Sequence, residues 1–247
     1  MSKSPEVSVV IPAYNEATYI DRLLEALSNQ AFESFEVIVS DAESKDGTKQ
    51  VVDSFKDRLD LKLIEAPPKG PAYGRNQGAK HARGDWLLFL DADVFIDNVR
   101  FMQELLDKTS AKGWKTSSAQ LKVMKGSLLG KIGHSQAYLN IMSHTKHPIM
   151  QGYCMLTSRE VFEKLHGFNQ KIRYGEDNDY ATRAAKFGFG FVKGTYYWVD
   201  PRRYQQEGFK LLYKNTQHEL YRLTHGFSFE ENTAEYEFGK HEKRAKD

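Results

Sequence analysis

The sequence predicts an α/β fold with a mostly parallel central sheet flanked by helices. Three observations lead there. Through roughly the first hundred residues, short apolar runs rich in β-branched and aromatic residues alternate with segments of helical periodicity. No internal repeat or low-complexity linker breaks that alternation. The chain has 247 residues, 40% hydrophobic and 13% aromatic, which is ample for a large core. Strands joined through single helices imply right-handed crossovers, hence parallel neighbours with helices on both faces.

The first strand is read over residues 7–11 (VSVVI), short and β-branched. Ile20, Leu23, Leu24 and Leu27 then recur at helical spacing, with Asn15 expected as the cap. Residues 35–40 (FEVIVS) form the second strand, and Val51, Val52, Phe55 and Leu59 repeat the helical pattern after Asp46-Gly47-Thr48. Residues 61–65 (LKLIE) are the third strand. Pro71 suits the first turn of a helix running through Ala79 and stopping at Gly84. Residues 86–90 (WLLFL) are the fourth strand, and YYWVD, ending at Asp200, is the last. Leu128, Ile132, Leu139 and Met142 fit one amphipathic helix with Lys125 and Lys131 nearby, and a second pattern runs through Phe209, Leu212, Tyr213, Thr216, Leu220 and Leu223. Stripes of this kind usually face a core. Trp86 and Trp114 read as packing residues.

Charge and cysteine usage narrow the class of partner. Thirty-five Lys and Arg nearly balance 33 Asp and Glu, and the net charge of +2 makes no electrostatic case for nucleic acid. The single cysteine, Cys154, cannot form an internal disulfide, which fits a reducing compartment and a small buried apolar role. The opening MSKSPEVSVVIPAYNE has too short an apolar stretch for a signal peptide, and no later segment approaches the ~20 apolar residues of a membrane span. The expectation is a cytoplasmic protein, attached at most to the inner face of a membrane.

Ligands of open α/β sheets bind beyond the carboxyl ends of the strands. Three polar segments follow predicted strands there: Pro12-Ala13-Tyr14-Asn15-Glu16, then 41–47 (DAESKDG), then Asp91-Ala92-Asp93. Two carboxylates leaving a buried strand repel each other and lose hydration, so they call for a cation. Hard oxygen ligands suit Mg²⁺ or Mn²⁺ shared with substrate phosphates. The triplet alone is weak, since Asp177-Asn178-Asp179 repeats it before the helical stretch YATRAAKFG. There, charge at a helix N-terminus and an Asp179 to Arg183 pair at i,i+4 explain the second copy. His144 and His147 form an HxxH without a third ligand of recognisable spacing, which reads as solvent-facing or hydrogen-bonding rather than metal-binding.

In their order, VSVVIPAYNE, the aspartate after the second strand followed by DGT, GRNQGAKHARGD, DAD and YGEDNDYATRAAKFG resemble the GT-A-fold glycosyltransferases of family 2. These are inverting enzymes that use nucleotide-diphosphate sugars, and the resemblance runs over roughly residues 5 to 205. It implies a Rossmann-like catalytic domain over 1–205, with a nucleotide-binding half at about 1–100 and an acceptor-binding half at about 101–205. A helical extension and charged tail follow over 206–247. It also assigns Pro12, Tyr14, Glu16 and Asp41 to base and ribose, Arg75 to the neighbourhood of the diphosphate, and Asp91 to ribose and metal. Asp93 becomes the direct ligand of Mg²⁺ or Mn²⁺, and Asp177 of the Glu176-Asp177 pair becomes the catalytic base. The comparable loop in the family brings Gly152 to the donor sugar; a simple turn is the other reading. Two departures stand out. Ala42 replaces a second aspartate after Asp41, which touches base selection. The family's late metal-binding histidine has no clear match, leaving Asp200 as the nearest candidate ahead of His218 and His225.

The chemistry is consistent with these residue types. Transfer with inversion needs a carboxylate to take the acceptor's proton while a metal and cations stabilise the departing nucleoside diphosphate. A glycoside hydrolase would want two carboxyls flanking the sugar. Arg202 and Arg203, just past the last strand, suit phosphate, with a solvated basic pair as the alternative. The donor is then a nucleotide-diphosphate sugar and the acceptor a glycan or lipid-linked molecule, and the two late stripes offer a surface for the latter or for peripheral membrane contact. The competing function is a catalytically silent nucleotide-sugar-binding protein.

Overall fold

The computed structural model describes residues 4–124, 128–145, 147–172 and 174–225. Of the positions singled out above, Lys125 and the charged tail over 230–247 lie outside the described residues, as do the side chains of Arg203, His218, Leu223 and His225. One eight-stranded sheet organises the rest. Its strands are β1 (Val7–Ala13), β2 (Phe35–Asp41), β3 (Leu61–Glu65), β4 (Trp86–Leu90), β5 (Val94–Phe95), β6 (Thr116–Val123), β7 (Cys154–Ser158) and β8 (Phe189–Val199), in the order β3-β2-β1-β4-β7-β6-β8-β5. The pairs β1/β2, β1/β4, β2/β3 and β6/β8 are parallel, while β4/β7, β6/β7 and β5/β8 are antiparallel.

The first four strands and their helices sit close to where the apolar pattern puts them. Each central strand buries both faces, which is why it reads as an unbroken apolar run. On one face Val9, Ile11, Val37, Val39, Leu88 and Leu90 meet Ile20, Leu23, Leu24 and Leu27 of α1 (Ile20–Ser28), together with α4 (Phe101–Ala111). On the other, Val10, Ile38, Leu87 and Phe89 meet Ala72 and Ala79 of α3 (Pro71–Lys80) and Tyr180, Ala181 and Ala184 of α8 (Glu176–Ala184). Gly74 and Gly78 let α3 lie close on the sheet: a Cβ at Gly78 would stand 2.4 Å from Val10 Cγ1, and one at Gly74 3.1 Å from Pro12 Cβ. Trp86 and Trp114 pack against the first of these layers, as expected.

Several local expectations are corrected. Asn15 does not cap α1, whose N-cap is Tyr19. It adopts a left-handed φ of 56°, and its side chain accepts the Lys45 N–H, tying the end of β1 to the loop after β2. Helix α2 (Thr48–Asp53) is only six residues long, because Phe55 and Leu59 reach the core from the turns beyond it. Asp177 and Asp179 belong to the first turn of α8 rather than preceding the helix, with Gly175 at the N-cap. The 128–142 pattern splits into α5 (Leu128–Gly133) and α6 (Gln136–Met142), where Ser135 caps the second helix by accepting the Tyr138 N–H. Leu139 and Met142 are buried, while Leu128 and Ile132 are exposed. After β8 come α9 (Arg202–Glu207) and α10 (Phe209–His225); among the described side chains of α10 the buried apolar residue is Leu211, outside the predicted stripe. No helix among the described residues is long and apolar enough to cross a membrane.

Candidate active site

One cleft of about 660 Å³ opens beyond the carboxyl ends of β1 and β4. Pro12, Tyr14 and Glu16 reach it from the end of β1, and Asp91 and Asp93 from the end of β4. Arg75 enters from α3, Gly152 from the loop before β7, Glu176 and Asp177 from α8, Asp200 from the end of β8, and Arg202 from α9. Of the residues predicted from sequence, Asp41 does not line it. Asp41 is buried behind the rim, where Oδ2 accepts the Ser44 N–H and lies 3.8 Å from Lys49 Nζ, while Oδ1 has no hydrogen-bond partner.

Arg75 forms the floor. It is engaged by carboxylates: Nη1 donates to Glu176 Oε1 at 2.7 Å and Nη2 to Asp91 Oδ1 at 2.7 Å. Nη2 also donates to the Gly152 carbonyl at 3.2 Å, and the guanidinium lies 5.4 Å from the Phe168 ring centre. The side chain is only 2% exposed. Burial alone would discourage its charge, but Asp91, Glu176 and Asp177 outweigh that and hold it firmly cationic.

The carboxylates carry the opposite strain. Burial pushes Asp91 up to about 6, against the pull of Arg75. Asp177 is pushed up to about 7, first by burial and then by Glu176, against Arg75 and the N–H groups of Asn178 and Gly152. Those two N–H groups fix its position: Asn178 N donates to Oδ1 at 2.8 Å and Gly152 N to Oδ2 at 2.6 Å. The loop carrying Gly152 is itself tied to α8, since the Met150 N–H donates to Asn178 Oδ1. Gly152 is therefore placed by close approach: a Cβ there would stand 2.6 Å from Arg75 Nη2 and 3.2 Å from Asp177 Oδ2. Asp179, in contrast, pairs with Arg183 at 2.7 Å, as the i,i+4 spacing predicts.

The rim is looser. Arg202 Nη2 donates to Asp93 Oδ2 at 3.0 Å, and the guanidinium stacks 3.9 Å over the Tyr19 ring. Its Nη1 is buried without a hydrogen-bond partner. Asp200 Oδ1 accepts the Arg202 N–H at 3.0 Å, fixing the start of α9. Glu16, Asp91, Asp93, Glu176, Asp177 and Asp200 thus line a cleft holding two guanidinium groups, Arg75 and Arg202. Hard oxygen donors in excess over fixed cations are a setting that fits Mg²⁺ or Mn²⁺ bound together with phosphate oxygens. The protein side chains do not make a cage alone: no cluster of three or more His, Cys, Asp or Glu suited to a metal occurs among the described residues. His144 and His147 are exposed, and Cys154 is fully buried, its thiol pushed up to about 12 chiefly by that burial.

A polar chain that sequence reasoning missed borders the cleft. Tyr174 Oη donates to Asn215 Oδ1, and Asn215 Nδ2 donates to Tyr204 Oη at 2.8 Å. Tyr204 meets buried His134 edge-on, and His134 Nε2 lies 3.3 Å from Tyr153 Oη. Gly133 makes room for this, since a Cβ there would fall 2.0 Å from the Tyr204 ring. The chain joins α5, α9 and α10 to the turn that precedes Glu176 and Asp177. Its members lie far apart in sequence and belong to no local pattern.

The family model described as Glycosyl transferase family 2 matches residues 8–166. The poly(ribitol-phosphate) beta-N-acetylglucosaminyltransferase TarS of Staphylococcus aureus (strain Mu50) is 40% identical over 94 residues, which is 36% of this chain and 16% of that protein. The GalNAc(5)-diNAcBac-PP-undecaprenol beta-1,3-glucosyltransferase of Campylobacter jejuni is 35% identical over 92 residues, 36% of this chain and 30% of that one. Among solved structures, S. aureus TarS 1–349 in complex with UDP-GlcNAc superposes with a TM-score of 0.67 at 23% identity, covering 79% of this chain and 58% of that one. The mannosyltransferase PcManGT from Pyrobaculum calidifontis, in complex with GDP-Man and Mn²⁺, gives 0.65 at 24% identity, covering 80% and 57%. The structural likeness is one of fold, the GT-A arrangement of a curled, mostly parallel sheet with flanking helices. This chain spans well under two thirds of the length of these relatives.

Proposed function

The chain belongs to glycosyl transferase family 2, and from that premise we propose that it moves a sugar from a nucleotide-diphosphate donor to an acceptor hydroxyl in a single inverting displacement. The observation that carries the proposal is the setting of Asp177. This carboxylate is held by two backbone N–H groups in the cleft that also receives Asp91 and Asp93, and is poised at about 7. A base is most effective when its pKa lies near the working pH. Glu176, bound to Arg75 at 2.7 Å, is committed elsewhere.

Asp177 takes the proton of the acceptor hydroxyl as that oxygen bonds to the anomeric carbon. The bond from that carbon to the diphosphate oxygen breaks on the opposite side, and the nucleoside diphosphate leaves with the electron pair. Pro12, Tyr14 and Glu16, with Asp41 behind them, hold the nucleoside end. Arg202 offers its guanidinium to the diphosphate, and Arg203 is assigned to phosphate with it. Asp93 would hold Mg²⁺ or Mn²⁺, with Asp91 and Asp200 beside it; when bound, the ion offsets charge growing on the leaving diphosphate. The Mn²⁺ in the PcManGT complex supports that choice. Arg75 binds Asp91 and Glu176 in fixed positions, so the metal side and the base side of the cleft keep their spacing. The name of the Campylobacter relative, with its undecaprenol-linked saccharide, supports a glycan or lipid-linked acceptor.

Thermal shift with UDP, GDP, TDP and CDP, each with Mn²⁺ and with EDTA, tests the donor half of this reading. One nucleotide should stabilise the protein, and only with the cation, by about 2.7 kcal/mol at a hundredfold excess over Kd. The matching nucleotide sugar should then release nucleoside diphosphate. Binding without any release, whatever acceptor is supplied, would return the chain to the class of silent binding proteins.

A further inference from the structure

Nine large hydrophobic side chains are exposed among the described residues, and eight of them stand on α5, α6 and α10. Scattered exposed apolar groups are ordinary, but such a concentration marks an interaction surface. The three helices adjoin: α10 packs on α5 and α9, and Tyr138 Oη of α6 donates to Glu219 Oε1 of α10 at 2.9 Å. Leu128 is 73% exposed and Phe209 74%, fractions typical of a side chain with no neighbour above it.

We propose that this face rests on a lipid bilayer bearing anionic headgroups, with α10 lying along the surface. At 100° per residue, Phe209, Tyr213, Thr216 and Leu220 fall within an arc of about 60°, nearly opposite the buried Leu211. Lys210, exposed at about 100°, borders one side of that arc, where its long stem lies along the interface with the ammonium group at the headgroups. Charge agrees with the shape. Among the described side chains the three helices carry three Lys (Lys131, Lys210 and Lys214) and one Glu, Glu219, which accepts the Tyr138 hydroxyl, whereas the whole chain carries only +2. Apolar side chains flanked by net positive charge complement an anionic membrane rather than a neutral protein surface.

The stripe also runs into the cleft, because Thr216 and Leu220 line it together with Ile132 and Tyr138. The membrane surface itself does not depend on the transferase reading. What rests on that reading is its consequence, that a lipid-anchored acceptor reaches Asp177 without leaving the bilayer.

Co-sedimentation of the full chain with vesicles tests the surface. The protein should partition onto phosphatidylcholine vesicles containing phosphatidylglycerol, and less onto phosphatidylcholine alone. Phe209→Ser combined with Tyr213→Ser should cut partitioning by at least about tenfold. Lys131→Gln with Lys210→Gln should cut it about tenfold on anionic vesicles only. Both variants should keep the melting temperature and the nucleotide-induced thermal shift, so a failure of the donor reading shows separately. An intact chain that stays in the supernatant with both vesicle types overturns the proposal. So does a Phe209/Tyr213 variant that sediments like the parent. A dimer seen by light scattering and lost in that variant, with no vesicle partitioning, would give the face to a second copy of the chain and overturn it as well.

Discussion

The floor and the rim of the cleft each hold one arginine against one aspartate of the Asp91-Ala92-Asp93 turn, and they are built differently. Arg75 is 2% exposed, bound to two carboxylates and a carbonyl through its two η nitrogens, with Nε buried and without a partner. Arg202 is 13% exposed, bound to one carboxylate, stacked on Tyr19, and has a buried Nη1 without a partner. The same residue type therefore does two jobs. A guanidinium with both η nitrogens engaged within the protein holds the frame, and one with an η nitrogen to spare is free to trade its contact for a ligand.

The largest effect should come from the floor's reactive carboxylate. Asp177→Asn keeps the size of the side chain but removes the base, so transfer should fall by ~10²–10⁴-fold while donor affinity is retained. Unchanged transfer would move the base to another residue. In the parent enzyme, transfer should rise as pH passes through about 7, where Asp177 loses its proton. The stability effect has the opposite sign. Its folded pKa is raised from the ordinary 3.8, so its contribution to stability is fully present below that value and is lost as pH rises through about 7. Asp177→Asn should thus gain melting temperature relative to the parent at pH 8 compared with pH 4.

Arg75→Met sharpens the contrast through stability. It leaves the buried Glu176 without its cation and takes one partner from the half-buried Asp91, and breaking a buried pair such as Arg75 with Glu176 costs about 3–5 kcal/mol. At this chain length that corresponds to a fall of roughly 10 °C in Tm. Arg75→Lys should not recover it, because one ammonium cannot reach both carboxylates with the geometry of a planar fork. A variant melting within a degree or two of the parent would remove the distinction between floor and rim.

How far these features were legible in the sequence follows the same division. The parallel strands could be read from residues such as Val9, Val37 and Leu88, because a strand buried on both faces is apolar throughout. The order of the motifs marked Asp91, Asp93, Glu176 and Asp177, and the structure brings all four into one cleft. Arg75 and Glu176 were each marked but their pairing was not, since they lie 101 positions apart and only the fold brings them together. Asn15 was misread because Asn favours both helix caps and left-handed turns, and local sequence does not distinguish them. Periodicity found the stripe on α10 but left core and surface both open, since a helical period says which residues share a face and nothing about what covers it. The chain from Tyr174 through Asn215 and Tyr204 to His134 is tertiary contact alone and left no local signal.

Gly152→Ala probes the join between base and floor. The added methyl must displace Arg75 Nη2 or Asp177 Oδ2, and overpacking of this size costs about 1–3 kcal/mol. Transfer should drop by at least about tenfold as Asp177 leaves its position. A melting curve and a single-turnover rate check both; a variant that keeps the parent's rate would mean the loop yields without moving either side chain.

The smallest effect belongs to the rim. Arg202→Gln shortens the side chain and removes its charge while leaving the backbone N–H that Asp200 accepts. One charge-assisted contact to a diphosphate is worth about 1.5–3 kcal/mol in a closed site. In the folded protein that contact is made at the expense of the existing bond to Asp93, so only part of the energy is gained, and donor KM should rise by about tenfold. Stability should barely change. Asp93 loses a partner but is itself 19% exposed, so water can solvate the carboxylate that Arg202 leaves. Measuring donor KM and Tm on this variant together separates the outcomes. A raised KM with an unchanged Tm makes the rim a ligand contact. An unchanged KM makes Arg202 a strut between α9 and the end of β4, and a Tm as low as that of Arg75→Met would show floor and rim to be one frame.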